Sequence, residues 1–226
     1  MPDYATWHGP ATAAVLWRVR STATTQHIAP DGVLDLMWFD GRFMVAGADT
    51  STMVVATRPD RITWGLQFAP GVAQALLGLP VNELTDRRVE LSELVRVPAN
   101  IRAEGDVPAA LERVFVALWR RADPDRSLLR LAASVDRAAR AGLTVREMAE
   151  MHDISERSLH RIGTALFGYS PKTLMQIHRF QRALGMIHQG TPLGAAAAAA
   201  GYADQSHLSR ETKRFTGQTP AELRSA

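Results

Sequence analysis

Two groups of polar side chains in the C-terminal third of the chain have the chemistry needed to read DNA bases. The groups are Arg157, His160 and Arg161, and Gln205, Ser206, Ser209 and Arg210. An arginine can donate two hydrogen bonds to guanine, and a glutamine can pair similarly with adenine, each pairing adding about 1 to 3 kcal/mol of base discrimination. On an isolated helix these residues would more simply form a solvated polar face. Their spacing along the chain must decide between the two interpretations.

Three further cations lie near the ends of predicted helices, namely Lys172, Lys213 and Arg214. Such residues neutralise phosphates and position a protein on DNA without reading its sequence. We therefore predict phosphate contacts for all three, with a solvated first-turn residue as the alternative for Lys172.

The spacing favours a shared role, because the chain repeats a pattern at an interval of 49 residues. The shift places Leu159 on Leu208, Arg161 on Arg210, Gly168 on Gly217, Ser170 on Thr219 and Pro171 on Pro220. The repeat thus preserves one apolar and one basic position together with the glycine and proline that follow. If Leu159, Ile162 and Leu166 face the core, the first polar group points outward.

Each copy predicts two short helices joined by a tight turn. In the first copy, Thr144 and Glu147 can form a capping box, Ser155 can cap the second helix, and Gly168 can end it. The corresponding signals in the second copy are Thr191, Pro192 at the first helical position, Asp204 and Gly217. Both copies are therefore predicted helix-turn-helix units.

A helix over residues 171–188, capped by Ser170, is predicted between the two units. Its length is about 27 Å at roughly 1.5 Å per residue, and one turn of B-DNA advances about 34 Å. We expect Arg161 and Arg210 to project from one side of the molecule into successive major grooves.

Residues 128–226 resemble the DNA-binding region of the AraC/XylS family of bacterial transcription regulators. The resemblance is carried by SERSLHRI from Ser155, FGYSPKTL from Phe167, RFQRAL from Arg179, GYADQSHLSRE from Gly201 and GQTPAEL from Gly217. It implies that Arg157, His160 and Arg161 occupy positions that meet base edges, and that double-stranded promoter DNA is the partner.

The sequence departs from the family pattern at Gly163 and Thr212, where the family usually places a core phenylalanine. Losing a buried aromatic side chain costs about 3 kcal/mol or more unless neighbours fill the space. The segment Ala195 to Ala200 also replaces larger aliphatic residues. We expect thin packing and marginal stability in this half, or compensation from Trp119 or the N-terminal part, with an effect on DNA affinity.

The first 70 residues show the pattern of short strands. Alternating or β-branched runs cover 13–19, 33–39, 42–45, 52–57 and 62–68, with a hairpin signal at Asp40-Gly41. These runs predict a barrel or small sandwich. The stretches HIAPDGVLDLMWFDG and GLQFAPGVAQALLGLPVNEL are similar to an uncharacterised domain found ahead of some AraC-type regulators.

The predicted fold class is α+β, with a β-rich barrel-like N-terminal domain and an all-α C-terminal domain of two helix-turn-helix units. Residues 1–105 form the effector-sensing domain, 106–127 a helical connector and 128–226 the DNA-binding domain. The segment 97–106 is the predicted linker, and helices are expected over 107–122 and 128–141.

Aromatic residues of the N-terminal domain could line an apolar effector pocket closed by polar groups. The candidates are Trp17, His27, Asp35, Trp38, Trp64 and Gln67. The alternative is that the aromatic residues form the core of the barrel. One imidazole near two acids, His27 with Asp31 and Asp35, does not predict a metal site, and we expect no cofactor.

Composition narrows the function classes. Cysteine is absent, which excludes disulfides, thiolate metal sites and methyl transfer to a cysteine. The net charge of +3 arises after residue 142, because the first 142 residues hold 16 basic and 16 acidic residues. No apolar run reaches membrane-spanning length and the N-terminus lacks a signal pattern, so we expect a soluble cytoplasmic protein.

The sequence thus predicts a DNA-binding transcriptional regulator that responds to an unknown small molecule or partner. RNA polymerase and a second copy of the chain are candidate partners. Two alternatives remain: an enzyme whose active site lies in the barrel, and an interaction protein whose helices no longer bind DNA.

Overall fold

A computed structural model of the protein describes residues 3–98, 100–103 and 105–225 of the 226-residue chain. Strands fill the N-terminal part and helices the C-terminal part, as the α+β prediction requires. The predicted linker 97–106 includes residues 99 and 104, which lie outside the described residues.

Among the described residues, eight strands form two antiparallel sheets. The strands are β1 Asp3–His8, β2 Val15–Arg20, β3 Thr25–Ile28, β4 Leu34–Phe39, β5 Arg42–Ala46, β6 Met53–Ala56, β7 Ile62–Phe68 and β8 Arg88–Glu90. The larger sheet has the order β1-β2-β7-β4-β5-β8, and β3 pairs with β6 in a separate two-stranded sheet. The sequence did not predict β1, β3 or β8.

The β4–β5 hairpin shows how local sequence sets the register. Asp40 and Gly41 adopt φ angles of 53° and 80°, the left-handed backbone of a two-residue hairpin turn. The turn pairs Phe39 with Arg42 and Leu36 with Val45. Because side chains alternate across a strand, this register sends Leu36 and Val45 to one face of the sheet.

That face forms the core of the N-terminal part. Leu16, Leu36 and Leu66 lie on neighbouring strands and are fully buried. A long helix, Val107–Ala122, packs across β4 and β7 on this side. The opposite face carries Trp17, Asp35 and Gln67, and the β3–β6 sheet lies over it with a cavity between.

Ten α-helices are described. They are α1 Val72–Leu77, α2 Leu91–Leu94, α3 Val107–Ala122, α4 Arg126–Ala141, α5 Val145–Met151, α6 Glu156–Phe167, α7 Pro171–His188, α8 Leu193–Ala200, α9 Gln205–Thr216 and α10 Pro220–Ser225. Helix α4 begins two residues before the predicted start. Pro192 is the N-cap of α8 rather than its first residue.

One hydrophobic core joins the sheet to helices α3 to α7 and extends to Phe215 of α9. A second, smaller cluster packs α8 and the start of α9 against the end of α7, and three of its buried members are Ala196, Ala197 and Ala200. The first helix-turn-helix unit therefore shares its core with the N-terminal part, whereas the second rests mainly on α7. No helix in the described part of the chain has the length and apolarity needed to cross a bilayer.

Candidate nucleic-acid interface and N-terminal cavity

The first candidate reading helix, α6, is fixed by its caps and its buried side. Thr144 and Glu147 form the capping box that begins α5, and the Ser155 side chain accepts a hydrogen bond from the Ser158 N–H at the start of α6. Leu159 and Leu166 are buried. These constraints orient the opposite face of α6 toward solvent.

Arg157, His160 and Arg161 lie on that exposed face. The hydrogen bonds and ion pairs formed by the described residues include none from the side chains of Arg157 or Arg161. Their guanidinium groups therefore retain the full set of donors that a base edge or phosphate would need.

The second candidate reading helix, α9, repeats this arrangement in the same register. Asp204 caps it where Ser155 caps α6, and Gly217 ends it where Gly168 ends α6. Leu208 is buried like its counterpart Leu159. The polar group comprises Gln205, Ser206 and Arg210, which are exposed, and Ser209, which is partly buried.

The three predicted phosphate contacts differ in their surroundings. Lys172 is exposed in the first turn of α7, and Lys213 is exposed in the last turn of α9. Arg214 donates a hydrogen bond to Gln176 at 3.2 Å and lies 4.4 Å from the centre of the Phe215 ring. Arg214 therefore joins α9 to α7, a contact that the sequence did not predict.

The expected packing defect at Gly163 is absent. A Cβ atom at this position would lie 2.8 Å from both Cδ and Cγ of Pro171, so the ring of Pro171 occupies the space. Thr212 is buried, and its hydroxyl has no hydrogen-bond partner among the described atoms. The prediction of a thinly packed first unit was wrong because the following proline replaces the phenylalanine.

Two buried polar contacts that the sequence did not predict hold α7 in place. Glu211 of α9 accepts hydrogen bonds from Arg179 at 2.7 Å and from Tyr202 at 2.8 Å. His178 lies 2.8 Å from Asp136 of α4. Although burial acts in the opposite direction, hydrogen bonds from His178 and Arg140 hold the pKa of Asp136 below its ordinary value.

The N-terminal cavity has a volume of about 490 Å³ and lies between the larger sheet and the β3–β6 sheet. Four of the candidate pocket residues line the cavity, namely Trp17, His27, Asp35 and Gln67. Other polar or aromatic residues of the lining are Tyr4, Asp31, Asp49 and Arg88. The cavity therefore combines apolar and aromatic surface with acidic groups, and Asp49 is an acidic group that the sequence analysis did not name.

Trp38 and Trp64 do not line this cavity, which corrects their assignment. Trp38 of β4 pairs with Trp64 of β7, and Leu36 pairs with Leu66. Each tryptophan is two residues from the leucine on its own strand, so all four side chains project from the same face of the sheet. Trp64 packs edge-on against Trp7, and Trp38 packs against Phe43. Both tryptophans belong to the opposite face of the sheet, as the alternative of a core role proposed.

Burial raises the pKa of Asp31 and of Asp35, two acids of the cavity. Burial, followed by the nearby charge of Asp31, raises the pKa of Asp35 to about 7, and the opposing effects come from Trp17 and Arg88. The indole N–H of Trp17 donates to Asp35 at 2.8 Å. No nucleophile–base pair involves Asp35 among the described contacts, and the described residues contain no cluster suited to a metal ion.

The loop Pro30–Gly32 connects the cavity to the helix between the reading helices. Asp31 lines the cavity, while the Pro30 carbonyl accepts a hydrogen bond from Gln181 of α7 at 2.6 Å. A Cβ atom on Gly32 would lie 2.9 Å from the His178 ring. Two more hydrogen bonds join the halves, from Thr85 to the Gly168 carbonyl at 2.9 Å and from the Thr52 N–H to the Phe215 carbonyl at 2.6 Å.

Known protein families match both the C-terminal and the N-terminal part of the chain. Residues 148–226 match the family described as "Helix-turn-helix domain", over the part of the chain that contains α6, α7 and α9. The chain carries an AraC-type helix-turn-helix domain. Residues 12–90 match a "Domain of unknown function", DUF6597. The chain is a DNA-binding transcriptional regulator.

Solved structures agree with the fold over nearly the whole regulator. ToxT from Vibrio cholerae O395 bound to (E)-4-(8-methylnaphthalen-1-yl)but-3-enoic acid is 11% identical, with a TM-score of 0.53 and 98% of each chain covered. ToxT from Vibrio cholerae strain SCE256 with bound unsaturated fatty acid is 9% identical, with a TM-score of 0.50 and 92% of each chain covered.

A probable AraC family transcriptional regulator from Rhodopseudomonas palustris CGA009 is 23% identical, with a TM-score of 0.38 over 42% of this chain and 95% of that one. Among curated proteins, no relative matches the chain.

Proposed function

We propose that the regulator binds DNA by placing α6 and α9 in successive major grooves. The observation that carries this proposal is the equivalence of Arg161 and Arg210, which are both exposed at the same distance from matched caps and matched buried leucines. In the proposed complex, Arg157, His160 and Arg161 meet base edges from α6. Gln205, Ser206, Ser209 and Arg210 do so from α9.

Lys172 and Lys213 are the proposed phosphate contacts, because both are exposed near helix ends and form no ion pair among the described residues. Arg214 is the weakest member of the predicted group, since its guanidinium already contacts Gln176 and Phe215. RNA polymerase and a second copy of the chain are proposed as protein partners that such a regulator would use.

The N-terminal cavity is the proposed effector site, and residues 1–105 are the proposed sensing domain. Two observations support a sensing role. Structures of the similarly folded ToxT contain an unsaturated fatty acid and a butenoic acid derivative, and the cavity of this chain touches α7 through the Pro30–Gly32 loop. An effector that binds two arrangements of this loop with different affinity would change DNA binding.

The alternatives have less support. An enzyme with its active site in the N-terminal part would need a nucleophile or metal near Asp35, and the described contacts of Asp35 join it to an indole instead. A degenerate interaction surface would not need matched caps and two unpaired arginines at equivalent positions.

Alanine substitution of the two equivalent arginines tests the DNA proposal. We expect Arg161→Ala and Arg210→Ala each to weaken binding to DNA from the upstream region of the gene by about 5- to 150-fold, because each loses a base contact worth about 1 to 3 kcal/mol. Each variant should also relax the preference at one base step, a different step for each arginine. Fluorescence anisotropy with a set of single-base variants of the site measures both effects.

The matched control is Arg58→Ala, which removes an exposed arginine that forms no ion pair among the described residues of the N-terminal part. It should leave affinity within about twofold at fixed salt. Lys172→Ala and Lys213→Ala should weaken binding to all sequences alike and reduce the salt slope by about 1. Unchanged sequence discrimination in both arginine variants would refute the assignment of α6 and α9 as reading helices.

A further inference from the structure

The charges that line the N-terminal cavity are unbalanced. Arg88 donates to both carboxylate oxygens of Asp49, at 2.9 Å and 2.7 Å, so its charge is already matched. Asp31 and Asp35 also line the cavity, and neither forms an ion pair with any described residue. The cavity therefore holds two carboxylates that form no ion pair among the described residues.

An aromatic surface lies next to these carboxylates. The Trp17 ring covers Gly65 so closely that a Cβ atom there would lie 2.2 Å from the indole. Tyr4 stacks on Trp17 with ring centres 6.5 Å apart and an interplanar angle of 29°. Aromatic faces attract cations, above all quaternary ammonium groups. The indole N–H of Trp17 also holds Asp35 in place, so both features belong to one site.

A positive charge beside Asp35 would favour its ionised form. Burial and the charge of Asp31 raise its pKa to about 7, because the ionised carboxylate lacks sufficient solvation and has a like charge nearby. A bound cation would remove this penalty. A carboxylic acid in the same place would add a further negative charge.

We propose that the cavity binds a small organic cation of the ammonium class, with its charge between Asp31 and Asp35 and its apolar part against Trp17. The volume of about 490 Å³ lies within the range of about 300 to 1,000 Å³ for small-molecule sites. This ligand class rests on the proposed function, in which the same cavity is the effector site. The proposed ligand class also differs from the ligands in the ToxT structures, which are acids.

Isothermal titration calorimetry on the full-length protein tests the proposal with four probes. The cations are choline and benzyltrimethylammonium, the neutral analogue of choline is 3,3-dimethylbutan-1-ol, and the anion is phenylacetate. We expect at least one of the two cations to bind, and the neutral and anionic probes to bind more than about tenfold more weakly, since each lacks the attraction to two carboxylates.

Substitutions in the cavity lining test whether the cation binds there. Asp35→Asn should weaken cation binding by about tenfold or more, and Trp17→Leu should do the same by removing the aromatic surface. The matched control is Asp60→Asn, because Asp60 is an exposed aspartate whose charge lies at a loop outside the cavity lining. Circular dichroism checks that each variant is folded.

The pH dependence provides a second readout. Cation affinity should rise between pH 6 and pH 8, because the ionised form of Asp35 binds the cation and its pKa is about 7. The other charged or titratable groups that face Asp35 are Tyr4, His27, Asp31, Asp49 and Arg88. His27→Gln should retain the rise, whereas Asp35→Asn should reduce it to the part that Asp31 contributes, because burial also raises the pKa of Asp31.

Three results would overturn the cation proposal: no binding of either cation, equal binding of the neutral probe, or binding that Asp35→Asn leaves unchanged. Phenylacetate binding that depends on Trp17 would reject the ligand class but keep the cavity as an effector site. Cation binding with no change in DNA affinity would keep the ligand class and reject the proposed coupling.

Discussion

Two glycines inside helices of the DNA-binding half have opposite surroundings. Gly163 in α6 is buried against Pro171, with 2.8 Å between the ring and a Cβ atom built on the glycine. Gly185 in α7 is exposed, and a Cβ atom there would meet nothing within 4 Å. Glycine costs a helix about 1 kcal/mol relative to alanine in both cases, so the difference between the two sites is steric.

We therefore expect Gly163→Ala and Gly185→Ala to change stability in opposite directions. Gly185→Ala should raise the free energy of unfolding by about 0.5 to 1 kcal/mol. Gly163→Ala should lower it, because overpacking costs about 1 to 3 kcal/mol and exceeds the gain in helix propensity. Urea denaturation followed by circular dichroism gives both values. Stabilisation by Gly163→Ala would show that Pro171 does not fill the site.

Individual side chains of the N-terminal sheet show what the sequence could and could not predict. Apolar alternation placed the strands, but it did not tell which face of each strand is the core. Trp38 and Trp64 share the parity of Leu36 and Leu66, so that parity was the available signal that they lie opposite Asp35. The contribution of Tyr4, Asp49 and Arg88 to the cavity depends on strand order, which local patterns do not encode.

At the scale of elements, helix ends were the most predictable feature because they depend on short-range hydrogen bonds. Thr144, Ser155, Ser170 and Asp204 all accept a backbone N–H as expected. The short strands β1, β3 and β8 were missed, since their pairing partners supply the stabilisation that their own sequences lack.

The two supporting helices, α5 and α8, occupy equivalent places in the two units but pack differently. Helix α5 buries Met148 in the main core, whereas the buried residues of α8 are Ala196, Ala197 and Ala200 in the smaller cluster. An alanine side chain buries little apolar area, and stabilisation scales with that area. The side chains of α8 therefore bury less apolar area than those of α5.

Hydrogen exchange measured by mass spectrometry should resolve this difference. We expect the amides of α8 to exchange about tenfold or more faster than those of α5, because local opening of α8 exposes less apolar surface. Specific DNA should slow exchange in both units. Equal protection of α5 and α8 in the free protein would contradict the inferred difference in stability.

At the scale of the whole molecule, the continuous core and the Pro30–Gly32 loop make the N-terminal part a physical support for α7. Asp31 faces the cavity, and the neighbouring Pro30 carbonyl is hydrogen-bonded to Gln181 at 2.6 Å. A ligand that moves this loop must therefore also act on the helix that sets the spacing of α6 and α9. This is the route by which we expect cavity binding to alter DNA affinity.

Gln181→Ala removes that hydrogen bond and should weaken the coupling between cavity and DNA. In the unaltered protein, saturating benzyltrimethylammonium should change the DNA dissociation constant by about 5- to 150-fold, the range of typical allosteric coupling. The variant should bind the same probe with similar affinity but show a smaller change in DNA affinity. Gln189→Ala, an exposed glutamine at the end of α7, is the control and should retain the full change. Because coupling free energies are reciprocal, DNA must change the affinity for the probe by the same factor, and unequal factors would reject a two-site mechanism.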